Sequence, residues 1–111
     1  MLGYIVKRFY LYAINKHKHN IMQAIIKNQS TIFGDKTIDI KQGVYEYTSK
    51  SGIRCEEGLY DHYRSFYVEV DNGCVEVIIG DQVFELRTGR DGHVGVNVLQ
   101  NHAGEIVGLF V

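Results

Sequence analysis

Residues 74–87 read CVEVIIGDQVFELR, and this stretch decides the fold class. Val75, Val77 and Ile79 alternate against Glu76, the period-two signature of a half-buried strand. Gly80-Asp81 is a two-residue hairpin signal. The chain then returns with Phe84 and Leu86 on one face and Val83, Glu85 and Arg87 on the other. Working outward, Phe66–Val70 precedes this hairpin and is closed by Asp71-Asn72-Gly73. Downstream, Thr88–Gly92 is a glycine turn, and His93–Leu99 alternates again through Val94, Val96 and Val98. Asn101–Gly104 turns the chain once more, and Glu105–Val111 closes it. Short strands joined by tight turns at this spacing indicate an antiparallel sandwich or barrel.

Upstream the signal is weaker. Gln23–Ile26 is a short apolar run, Thr37–Ile40 alternates, and Val44, Tyr45 and Tyr47 form a β-prone stretch. Ser49–Asp61, SKSGIRCEEGLYD, reads as a long polar loop. Leu2, Ile5, Val6, Phe9, Tyr12 and Ala13 recur at helical spacing, so residues 3–15 are expected to form an amphipathic helix that ends at the KHKHN run, residues 16–20. Met22 offers a second start of translation. The expected organisation is thus a basic extension over residues 1–21 and a β-domain over 22–111.

Composition fits this picture. The chain has 111 residues, 45% apolar and 23% charged, enough for one core and too apolar for disorder. The net charge of −1 conceals an asymmetry. Residues 1–34 carry five bases and no acid, whereas the remainder carries 13 acids against seven bases. Two cysteines, Cys55 and Cys74, form neither a disulfide framework nor a CxxC motif, and a reduced, cytoplasmic protein is expected. No apolar run reaches the length of a membrane helix.

The segment GCVEVIIGDQVFELRTGRDGHVGV, Gly73–Val96, resembles a cupin, a small jelly-roll β-barrel. Gly73, the Gly80-Asp81 turn, Glu85-Leu86 and Gly89 sit where the cupin pattern places its motif-closing glycine, its hairpin and the start of its second motif. The metal ligands of that pattern are mostly missing. Counting back from Gly73 puts Phe66 at the glutamate position and Tyr60 and His62 at the two histidine positions, of which only His62 matches. In the second motif the proline is absent, Gln100 stands at the histidine position, and His102 lies two residues beyond. The resemblance implies an all-β, cupin-like barrel or jelly-roll sandwich that binds a small ligand in the barrel mouth. Tyr60, His62 and His102 would be its pocket residues, with no metal and no cofactor.

Other chemistry is thinner. His17 and His19 flank Lys18 in a solvated basic turn. Cys55 lies between Arg54 and two glutamates with no histidine placed beside it, and Cys74 reads as a core residue. GRDGHVG, residues 89–95, lies between two strands and lacks the helix N-terminus of a phosphate loop. The basic segment has too few cations, on too acidic a body, for a nucleic-acid partner. Tyr45 and Tyr47 share a face if their segment is a strand. Facing inward they would line a pocket or fill the core, and facing outward they would form an aromatic patch for a protein partner. Two functions are therefore expected: small-ligand binding, or a non-catalytic protein-interaction module, such as an accessory or inhibitor protein of a mobile element, acting through edge strands and aromatic surface. A homodimer suits either, because a meander leaves edge strands to cover.

Overall fold

The computed structural model describes residues 21–29 and 34–111. The helix expected over residues 3–15 lies outside them. The described chain forms nine strands: β1 (Ile21–Ile26), β2 (Lys36–Lys41), β3 (Glu46–Ser49), β4 (Gly52–Arg54), β5 (Asp61–Val70), β6 (Cys74–Ile79), β7 (Gln82–Arg87), β8 (Gly92–Gln100) and β9 (Ile106–Phe110). They build two antiparallel sheets, one ordered β2-β1-β6-β7 and the other β3-β4-β9-β8-β5. No helix among the described residues is long and apolar enough to cross a membrane.

The alternation read from the sequence sets which side chains meet. Val75, Val77, Ile79, Phe84 and Leu86 from the first sheet face Val94, Val96, Val98 and Leu109 from the second, all buried in one core cluster. Glu76, Val83, Glu85 and Arg87 fall on the opposite face of the first sheet, as a period of two requires. The β6–β7 hairpin pairs Ile79 with Gln82 across Gly80-Asp81. Gly80 has φ +62° and Asp81 does not have positive φ, the pattern of a type II′ turn, which matches the twist of the flanking strands.

Two segments depart from expectation. The polar stretch from Ser49 to Asp61 is not all loop, because it contains β4, whose Ile53 is fully buried between β3 and β9. A strand of three residues with one apolar side chain has no periodicity to detect; its pairing with β9 is a tertiary effect. Likewise, the strand expected to start at Phe66 begins at Asp61. Its first five residues are all exposed, so they lack an apolar face and read as loop.

Candidate functional site

Three regions concentrate polar or aromatic side chains. The first is the end of the molecule where the 55–60 loop meets the 101–104 turn. Asn101 organises it. Its Oδ1 accepts the N–H groups of Ala103 and Glu105, both at 3.0 Å, and its Nδ2 donates to Glu105 at 3.1 Å and to Glu56 at 3.3 Å. Glu56 also holds Lys41 at 2.7 Å. This bond lowers the Glu56 ionisation and raises that of Lys41. Beneath them the buried Tyr45 donates from its hydroxyl to the Lys41 carbonyl at 2.7 Å and lies 3.4 Å from the Ile106 carbonyl. Burial, and then the neighbouring Cys55 thiol, push the Tyr45 ionisation upward. Because Asn101 serves four bonds, Asn101→Ala is expected to cost about 1.5 kcal/mol. A shift in the urea midpoint with unchanged slope checks this.

The expected pocket residues divide around this junction. Tyr60 and His102 are carried by the two segments that Asn101 and Glu56 tie together. The Tyr60 hydroxyl is shut off from solvent and meets no partner in hydrogen-bonding geometry among the described residues, and burial followed by the Glu56 carboxylate raises its ionisation. His62 pairs with Leu99 on β8, but its ring is turned edge-on to Phe110 at 5.8 Å. Tyr45 precedes β3 and fills the core. Tyr47, on β3, is half-exposed, with its ring edge-on to Phe84 at 5.3 Å and its hydroxyl accepting the Glu85 N–H at 2.8 Å. Tyr45 in the core and Tyr47 in contact with Phe84 and Glu85 thus have different surroundings. Among the described residues no group of three His, Cys, Asp or Glu is arranged to hold a metal.

The second region, which the sequence reading missed, is the outer edge of β5. This strand ends its sheet, and among the described residues no strand pairs with that edge. At its far end residues 28–29 already bond to it. The Gln29 N–H donates to the Glu69 carbonyl at 3.1 Å, the Glu69 N–H donates to Asn28 Oδ1 at 2.9 Å, and the Asp71 N–H donates to Gln29 Oε1. From Asp61 to Tyr67 no strand among the described residues pairs with the edge. A bulge between Arg64 and Phe66 reverses the facing of the residues before it. Tyr63 pairs with Val98, on the core side, whereas Tyr67 pairs with Gly95, on the outer side. The two rings, 52% and 51% exposed, thus flank the edge on opposite faces. Arg64 is folded over the Tyr67 ring, 5.3 Å from its centre, and donates to its hydroxyl.

The third region is a groove of about 400 Å³ on the other side, lined by Tyr47, Ser49, Lys50, Cys74, Glu85 and Arg87. Its walls belong to different sheets and are laced together. The Arg87 N–H donates to the Lys50 carbonyl at 2.7 Å, and the Ser51 hydroxyl donates to the Arg87 carbonyl at 2.9 Å. Together with the Tyr47–Glu85 bond, these contacts occupy the outer edge of β7.

No family model, curated protein or solved structure matches the chain.

Proposed function

We propose that the chain is a non-catalytic protein-interaction module that accepts an extended segment of its partner along the open edge of β5. The space between the sheets is filled by apolar side chains, and among the described residues no charged or polar one is buried there. The arrangement therefore favours surface recognition over a ligand held between the sheets. The single observation that carries the reading is the behaviour of the edge itself. The Gln29 N–H bonds to the Glu69 carbonyl as an added strand would, the Asn28 and Gln29 side chains accept the Glu69 and Asp71 N–H groups, and the same edge continues unoccupied past Tyr67 to Asp61 among the described residues. Strand addition supplies affinity through main-chain bonds and specificity through flanking side chains. Here those side chains are Tyr63 and Tyr67, one on each face. The preferred partner segment carries aromatic or aliphatic residues on both of its faces. The bulge and the charged Asp61 and Arg64 keep the edge from pairing indiscriminately.

A displayed library of random peptides, selected on the full chain, tests this. Enriched peptides should shift the amide resonances of Asp61–Tyr67. Glu69 has its N–H facing outward, so by ladder alternation Tyr67 does too. Tyr67→Pro removes that donor without touching the β8 ladder and should weaken binding about tenfold. Failure to enrich any peptide, or peptides that bind with unmoved β5 amides, would refute the reading.

A further inference from the structure

We infer that the groove between the β3–β4 hairpin and β7 binds a small organic anion with a planar body, the anionic group lying between Lys50 and Arg87 and the plane resting on Tyr47. This site is separate from the β5 edge and goes beyond the interaction role.

The groove is rich in donors without partners among the described residues. Among the described residues, neither Lys50 nor Arg87 pairs with a carboxylate. The Tyr47 hydroxyl accepts the Glu85 N–H, and its own proton has no acceptor among the described residues. An ammonium, a guanidinium and a phenolic O–H lining one groove suit a carboxylate or phosphate, and the arginine can grip either with two parallel bonds. Glu85 is the one acid in the lining. It disfavours a second anionic group and accepts from an N–H or O–H on the ligand body.

The groove is also held in shape before any ligand arrives. The Tyr47 ring is fixed at both ends, by Phe84 at its edge and by the Glu85 N–H at its hydroxyl. The backbone of Lys50 is tied to that of Arg87, so the two cations are carried on bonded segments rather than on free loops. Such pre-organisation lowers the ordering cost of binding. The volume of about 400 Å³ lies within the range of small-molecule sites, roughly 300–1,000 Å³. Stacking on Tyr47 favours a flat ligand.

The test uses two probes on the full chain, adenosine monophosphate and indole-3-acetate, which present a phosphate and a carboxylate on planar bodies. At least one should produce saturable shifts at the Lys50, Glu85 and Arg87 amides at millimolar concentration, and the tighter probe identifies the anionic group. Arg87→Gln, an exposed position whose backbone bonds survive the change, should weaken that binding about tenfold. The same probe should slow alkylation of Cys74, which lines the groove, and leave Cys55 unaffected. The inference is overturned if neither probe saturates, if Arg87→Gln and Lys50→Gln both leave binding unchanged, or if the shifts map to β5 instead.

Discussion

Tyr45→Ala is expected to destabilise the protein by about 4 kcal/mol, the range for removing a large aromatic ring from a core. Tyr45 is only 2% exposed, and its ring packs in the cluster that both sheets share. Against a total stability of roughly 5–15 kcal/mol for a domain of this kind, that loss leaves little in reserve. Tyr45→Phe separates the ring from the hydroxyl. It keeps the packing but removes the donor from the Lys41 and Ile106 carbonyls, at a cost of about 1 kcal/mol near neutral pH. The pH dependence carries a distinct sign. The folded ionisation of Tyr45 lies above its ordinary value of 10.0. Below that value both folded and unfolded tyrosine hold the proton, and the contribution is fully present. Above it the unfolded chain releases the proton while the folded chain retains it, so stability falls as pH rises. The wild type should therefore lose stability above about pH 10 more steeply than Tyr45→Phe. Urea titrations of both proteins from pH 8 upward measure the difference; parallel alkaline limbs would show that Tyr45 is not held in its neutral form.

That Tyr45 is a core residue and Tyr47 a groove residue illustrates what the sequence could and could not carry. The meander from Phe66 was legible because its strands bury one face, and Val75, Val77, Val94, Val96 and Val98 repeat at the period that burial imposes. The Gly80-Asp81 turn was legible because its backbone geometry selects glycine. Tyr45 and Tyr47 lie two residues apart, and either could have filled the core. Their fates are set largely by distant partners, Ile106 for one, beside the nearby Lys41, and Phe84 and Glu85 for the other. Asp61–Ser65 were missed because an edge strand with both faces wet has no apolar period. The groove was invisible for a related reason. Lys50 and Arg87 are adjacent only because a main-chain bond joins a hairpin turn to an edge strand, and main-chain bonds leave no mark on residue type.

The second large effect is expected at Gly108. β9 is bonded on one side to β4 and on the other to β8, so Gly108 cannot move sideways without breaking a ladder. A Cβ there would sit 2.7 Å from the Ile53 carbonyl oxygen, 2.9 Å from Leu99 Cδ1 and 3.0 Å from Arg54 Cβ. The tightest of these is backbone and has no rotamer in which to retreat. Gly108→Ala should therefore cost about 3 kcal/mol, the upper end of ordinary overpacking penalties. Gly95, on the neighbouring β8, is the control. The three atoms nearest its added Cβ all belong to the Arg64 side chain, with Nε at 3.0 Å, and that flexible chain can swing outward. Gly95→Ala should cost less than about 1 kcal/mol. The damage at Gly108 also has a direction. Relief requires β4 to part from β9, which loosens the Cys55 N–H bond to the Val107 carbonyl and the buried Ile53. The β3–β4 hairpin carries Tyr47 and Lys50 and is tied to β7 by the Lys50–Arg87 main-chain bond. Hydrogen exchange at the Cys55 and Arg87 amides should therefore rise before the core amides of Val96 and Val98 lose protection. Uniform loss of protection across both sheets would instead mean that the hairpin and the core unfold as one unit.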